Sequence, residues 1–217
     1  MKPATINNFT GDLEEASCPI CPEPPDPTLI FRAISGTGFW MYPICNVQFA
    51  SPRFTNDSLL KIYENESFAD LSFYNDWTYE KWRKENRHGS YITQKLKLHA
   101  LSRYLNENDR ILDVGCGPGL FCLEASRHGL KAEDIEPSGM LADIGRKKLN
   151  IEIHQGLLED FEPAYKFDGI TVWDVLEHVP NPVEILTKSY EIISKIIISV
   201  SKKYNLSDYI TCLAQKN

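Results

Sequence analysis

The chain has 217 residues, 42% of them hydrophobic and 24% charged, with four Trp, ten Tyr and ten Phe. That is enough apolar bulk to exclude wholesale disorder. A formal net charge of −7 argues against a general nucleic-acid binder, and apolar runs such as Ile196–Ile198 fall far short of the ~18 residues that span a bilayer.

Residues 1–17 are polar, hold no apolar stretch of the signal-peptide kind, and are expected to be a flexible tail. Six Cys without such a leader point to reduced thiols or metal ligands rather than disulfides, so a soluble, cytoplasmic protein is expected. Residues 18–55 are rich in Pro, Gly and Cys, with Pro22, Pro24, Pro25 and Pro27 breaking any helix, which predicts turns and short strands. Residues 56–108 read as a helical linker or lid. Asn56 or Asp57 is placed to cap a first helix carrying Leu59, Leu60 and Tyr63, and a longer pattern includes Ile92, Leu96, Leu98, Leu101 and Leu105.

From Arg110 short apolar strands alternate with helices. Strands are expected at Ile111–Val114, Lys131–Ile135, Ile151–His154, Gly169–Trp173 and Ile196–Val200, and helices at Leu120–His128, Gly139–Leu149 and Val183–Ser194. This alternation predicts an α/β fold, a doubly wound, mostly parallel Rossmann-like sheet over residues 109–217.

Asp113-Val114-Gly115-Cys116-Gly117-Pro118-Gly119 stands where the first strand meets a helix. Glycines there let the backbone turn tightly and approach a ligand. A dinucleotide site wants G-x-G-x-x-G, but position 120 is Leu and the observed spacing is G-x-G-x-G. An NAD-dependent oxidoreductase is therefore the most distant reading.

The turn resembles that of the class I S-adenosylmethionine-dependent methyltransferases. The resemblance continues in Asp134-Ile135-Glu136-Pro137-Ser138 after the second strand and in Trp173-Asp174-Val175-Leu176-Glu177-His178-Val179-Pro180 after the fourth. The latter is similar to the Leu-Glu-His-Val segment of the small-molecule branch that includes the ubiquinone-biosynthesis O-methyltransferases. The match covers about residues 109–200.

The resemblance implies S-adenosylmethionine as cofactor. Gly115, Cys116, Gly117 and Gly119 would line its methionine and ribose part, with Asp113 orienting that loop or touching the methionine end. Glu136 would hold both ribose hydroxyls, since a carboxylate accepts two hydrogen bonds side by side. Leu157 and Leu158 would flank the adenine and Trp173 would lie against the cofactor. Many relatives carry an acid directly after Gly156, where this chain has Leu157, leaving the adenine amino group to backbone, Glu159 or Asp160.

Methyl transfer from a sulfonium is an in-line displacement in which positioning does most of the work. Where the acceptor must lose a proton, His178 is the natural base, with Asp174 and Glu177 as second choices. Nucleobase-amine enzymes share an Asn- or Asp-Pro-Pro-aromatic run that Asp174–Glu177 lacks, and no Pro-Cys dipeptide of the cytosine-C5 kind occurs. A small-molecule acceptor, sugar-like or phenolic, remains, with no nucleic-acid or membrane partner.

Cys18-Pro19-Ile20-Cys21 followed by Cys45 resembles a zinc ribbon, whose closed site needs four ligands. The second pair reads Tyr42-Pro43-Ile44-Cys45, and no His lies in residues 1–87, so a degenerate ribbon that kept its shape and lost its metal is expected. Cys116 and Cys122 read as structural. Residues 81–103 carry Lys81, Arg83, Lys84, Arg87, Lys95, Lys97 and Arg103 against Glu85 alone. That charge either draws in an anionic acceptor or is a solvated helix face, and Tyr79, Trp82 and Tyr91 nearby either line a pocket or pack.

Relatives continue after the fifth strand with a helix and two strands, whereas 17 residues follow Val200 here. The expected sheet thus has five strands in the order 3-2-1-4-5, its outer edge open or covered by the tail or the N-terminal segment. Two functions stay open: a methyltransferase acting on a small molecule, or a non-catalytic binding or interaction protein that keeps the cofactor fold.

Overall fold

The structure, a computed structural model, describes residues 4–6, 9–21, 26–34, 36–65, 89–202 and 209–215. The basic residues Lys81–Arg87, together with Pro22, Pro24, Pro25, Tyr79 and Trp82, lie outside the described residues. The chain divides into two compact units, residues 1–63 with 180–183, and residues 64–179 with 184–217.

The first unit is built from short antiparallel strands. β1 (Ala4–Ile6) pairs with β2 (Phe9–Gly11), and β3 (Leu13–Glu14) with β7 (Arg53–Phe54), while β4 (Thr28–Arg32), β5 (Gly38–Met41) and β6 (Gln48–Ser51) form a three-stranded sheet. The described part of the expected tail therefore holds three short strands. The physical reason is a set of hydrogen bonds to residues far along the chain: Asp12 N–H donates to Ser58 Oγ at 2.8 Å, Ala16 N–H to Ser51 Oγ at 3.0 Å, and Thr55 N–H to the Asp12 carbonyl at 3.0 Å. Helix α1 (Asn56–Tyr63) is capped by Thr55, not by Asn56 or Asp57, through Ser58 N–H to Thr55 Oγ1 at 3.3 Å. The expected helical linker is thus divided, α1 falling in the first unit and α2 (Gly89–Leu101) in the second.

The second unit holds the expected Rossmann-like fold. β8 (Arg110–Val114), β9 (Lys131–Glu136), β10 (His154–Gln155), β11 (Phe167–Trp173) and β12 (Ile193–Lys202) lie parallel in the order β10-β9-β8-β11-β12, which is 3-2-1-4-5. A sixth strand, β13 (Tyr209–Gln215), runs antiparallel beside β12 and covers the edge. Helices α3 (Leu120–Arg127), α4 (Gly139–Ile144) and α5 (Pro182–Ile192) connect the parallel strands.

Strand alternation sorts the core into two faces. Ile111 packs with Leu98 and Leu101 of α2 and Phe121 and Ala125 of α3, while Leu112, Ile170 and Val172 pack with Ile185 and Ile192 of α5. Helix α3 ends at a left-handed glycine, Gly129, where Leu130 N–H returns to the Ala125 carbonyl at 3.2 Å. The expected helix 139–149 is α-helical only to Ile144 and continues as a wider π-type turn over Gly145–Leu149, ended by Asn150 in the left-handed region. Ile151 packs against Leu120 and Leu149 and Ile153 is buried, so β10 pairs only at His154–Gln155. Helix α5 stops at Ile192 and β12 starts at Ile193, where Ser194 Oγ donates to the Phe167 carbonyl at 2.9 Å.

Candidate functional site

The site is built at the carboxyl ends of β8, β9 and β11, the switch point of a doubly wound sheet. After β8 the chain turns through Gly115, Gly117 and Gly119, at φ of 66°, 58° and 79°. All three lie in the left-handed region that L side chains avoid. A Cβ on Gly115 would stand 2.5 Å from Val175 Cγ2, and one on Gly119 2.3 Å from Ile151 Cδ1. The turn is tied to β9 as well, with Gly115 N–H and Cys116 N–H donating to the Ile135 carbonyl at 2.9 and 3.2 Å. Its far side leans on α4's continuation, where a Cβ on Gly145 would come within 2.7 Å of the Pro118 carbonyl oxygen.

Glu136 closes the site at the end of β9. Its Oε2 accepts from Gly117 N–H at 2.8 Å and its Oε1 from Ser138 N–H at 2.9 Å. The side chain is 5% exposed. Burial raises its pKa, and the two N–H donors oppose that rise. Ser138 in turn caps α4 by accepting from Leu141 N–H at 3.3 Å. One carboxylate therefore sets the position of both the glycine turn and the following helix.

Beneath the turn Asp113, expected to orient the loop, meets a second buried acid, Asp134, to which the sequence reading gave no role. Asp113 on β8 stands opposite Asp134 on β9 in register, and both are buried. Thr171 Oγ1 on β11 donates to Asp113 Oδ1 at 2.6 Å. Burial pushes the Asp113 carboxyl up to about 7, partly offset by the charge of Lys97 and the Thr171 hydrogen bond. Burial, reinforced by Asp113, also holds Asp134 well above the usual carboxylate range. One ligating oxygen or sulfur of each of Asp113, Cys122 and Asp134 lies within 4.8 Å of the others. Both acids stand in expected strands, but only the register of the two adjacent parallel strands brings them face to face.

Trp173 ends β11 on that same side. Its ring meets Phe121 edge-on at 5.6 Å and packs in the α2–α3 core, while Lys97 Nζ of α2 sits 4.9 Å from the ring centroid. Lys97 also reaches Asp174 Oδ2 at 3.7 Å. Asp174 takes a left-handed φ of 55°, which turns the chain sharply off the strand. Glu177 and His178 are exposed on the loop that follows, and His178 N–H closes a turn on the Val175 carbonyl at 2.8 Å.

After β10, Leu157 is half-buried, whereas Leu158 is buried in the α5-side core with Phe167 and Ile170. Leu158 therefore serves packing, because the short helical turn over Leu158–Asp160 points it inward. Cys116 Sγ donates to the Gly117 carbonyl at 3.4 Å, and burial raises its thiol well above the ordinary value. Asp134 Oδ1, Glu159 Oε2 and Trp173 Nε1 are buried and have no hydrogen-bond partner among the described residues.

Residues 84–204, more than half of the chain, match the family described as "Methyltransferase domain". The chain belongs to this methyltransferase-domain family. Among curated relatives, it is similar to the ubiquinone biosynthesis O-methyltransferase of Actinobacillus pleuropneumoniae serotype 7 (strain AP76), 35% identical over 88 residues, which is 36% of this chain and 38% of that one. The enzyme of the same name from Coxiella burnetii (strain Dugway 5J108-111) is 28% identical over 130 residues, 57% of this chain and 53% of that one. The matches thus span 38% to 53% of these two relatives' own length.

Among solved structures, magnesium protoporphyrin IX methyltransferase from Synechocystis PCC 6803 with bound SAH superimposes with a TM-score of 0.56 at 16% identity, over 70% of this chain and 74% of that one. The same protein with bound SAM gives 0.52 over 67% and 75%. At that identity the likeness concerns the methyltransferase fold. No helix among the described residues is long and apolar enough to cross a membrane.

Proposed function

We propose that the chain transfers a methyl group from S-adenosylmethionine to a small-molecule acceptor, sugar-like or phenolic. The observation that carries this reading is the turn of three left-handed glycines hydrogen-bonded to Glu136, which leaves a backbone-lined cradle at the switch point. The cofactor's fit is supported by that cradle and by the unpartnered Trp173 Nε1 at the end of β11. When bound, S-adenosylmethionine supplies a methyl group on a sulfonium.

This chain's residues then position and desolvate. Gly115, Cys116, Gly117 and Gly119 offer backbone at close range. Each Glu136 oxygen keeps an acceptor lone pair beyond its backbone donor, enough for two ribose hydroxyls. Asp113 holds the base of the turn, Leu157 and Glu159 face the adenine end, and Trp173 closes the inner wall.

His178 takes the acceptor's proton on an imidazole nitrogen, standing exposed on the loop after β11 where an acceptor enters. Asp174 and Glu177 flank it. Carrying Lys97 beside Asp174, α2 keeps positive charge at this rim.

The test is acceptor-dependent formation of S-adenosylhomocysteine by the full chain against panels of phenols, catechols and sugars. Turnover with one panel supports the reading and names the acceptor class. A folded chain that binds S-adenosylmethionine and turns over with neither panel contradicts this acceptor class.

A further inference from the structure

Among the residues of the first unit whose side chains are described, few apolar ones are buried. Among its described residues, only Cys18 and Tyr42 are buried hydrophobic side chains, while Ile20, Leu29, Ile30, Phe31, Ile34 and Ile44 are exposed. Units this small commonly rely on a metal or disulfides for what a core would otherwise supply. Within the first unit three thiols stand together. The ligating sulfurs of Cys18, Cys21 and Cys45 all lie within 4.8 Å of one another, with Cys18 Sγ 3.5 Å from Cys45 Sγ. Ile20 N–H and Cys21 N–H both point at Cys18 Sγ, each at 3.4 Å. A pair of backbone donors aimed at one sulfur stabilises a thiolate more than a thiol.

The ribbon resemblance implies a fourth thiol three residues before Cys45, and there the chain has Tyr42. That ring is stacked on Phe49 with centroids 5.0 Å apart, and its backbone is paired in the turn, with Tyr42 N–H on the Val47 carbonyl and Asn46 N–H on the Tyr42 carbonyl. Tyr42 is therefore spent on packing. No fourth Cys, His, Asp or Glu joins the three thiols among the described residues. The residues fit a metal, but not the closed four-thiolate site.

We propose that Cys18, Cys21 and Cys45 bind one thiophilic divalent cation of the zinc class, with its fourth position left to an exogenous ligand such as water. On binding, each thiol that ligates gives up its proton to solvent and a sulfur–metal bond takes its place, with no change of oxidation state. The cation then ties the 18–21 turn to the 42–45 turn.

Cobalt(II) is the probe. The full chain, reduced and stripped of metal, is titrated with cobalt(II) alone while the near-ultraviolet sulfur-to-cobalt band is followed. The proposal expects saturation at one cobalt per chain, displacement by zinc(II), and a visible spectrum that changes when imidazole is added, because the fourth position is open. Cys45→Ser reduces or abolishes the band, whereas Cys122→Ser leaves it. To separate ligation from misfolding of a variant, alkylation of the native chain is mapped in parallel, and zinc(II) must protect Cys18, Cys21 and Cys45 together. No sulfur-to-cobalt band, half a cobalt per chain, a spectrum indifferent to imidazole, or protection of fewer than those three thiols overturns the proposal.

Discussion

Gly117 donates its backbone N–H to Glu136 Oε2 at 2.8 Å across 19 residues of sequence. This single bond fixes the tip of the glycine turn to the end of the neighbouring strand, and the other oxygen of the same carboxylate fixes Ser138 at 2.9 Å. The residue proposed to hold a ribose is therefore also the residue that shapes the cradle.

Replacing Glu136 should consequently harm binding twice. In Glu136→Gln the amide NH₂ faces a backbone donor at one of the two positions, and the charge is gone. Charge-assisted bonds contribute about 1.5–3 kcal/mol each, so S-adenosylmethionine affinity should fall roughly 10–100-fold. Calorimetric titration checks this, and unchanged affinity would remove Glu136 from the site.

Gly119→Ala probes the turn itself. The new Cβ would start 2.3 Å from Ile151 Cδ1 at a φ of 79°. Strain at such a φ costs on the order of 1–3 kcal/mol, and trimming the neighbour in Gly119→Ala/Ile151→Ala relieves only the clash. Denaturant melts should show both variants less stable than their Gly119 counterparts.

The buried Asp113 predicts a pH dependence of known sign. Its folded pKa of about 7 lies above the ordinary value of 3.8, so between those values the folded chain holds a proton that the unfolded chain has released. Stability from this group is present at low pH and is lost as pH rises through that window. Asp134, shifted in the same direction, adds to it. Asp113→Asn, neutral throughout, should gain on the wild type as pH rises from about 4 to 7 and hold a constant advantage above. Melts of both proteins across that range test this; a gap that narrows with rising pH would contradict it.

His178→Ala should lower kcat by about 10²–10⁴-fold, the usual worth of a general base, and leave S-adenosylmethionine affinity unchanged. Its side chain is exposed and away from the core, so the melting temperature should stay put. A variant with full turnover would assign the proton to Asp174, Glu177 or solvent.

Much of the second unit was legible because strand–helix alternation and the G-x-G-x-G turn are local patterns. The order 3-2-1-4-5 follows from that alternation and the family resemblance. What escaped depended on partners distant in sequence. The N-terminal residues look like a tail until Ser51 and Ser58 accept their N–H groups. Leu157 and Leu158 are alike in sequence, and only the turn at Leu158–Asp160 sends the second into the core. β13 carries the strand formers Tyr209, Ile210 and Thr211, and the free edge of β12 gives it its place. Asp113 and Asp134 facing each other required register, which composition does not reveal.

The account stands most directly on cofactor binding. Calorimetric titration of the full chain with S-adenosylmethionine, beside Gly117→Arg with its fold verified by circular dichroism, is the decisive measurement. The account predicts saturable one-to-one binding by the wild type and its loss in the variant, where an arginine occupies a left-handed position in the cradle. A folded wild type that takes up no S-adenosylmethionine, or a variant that binds as tightly, would contradict it.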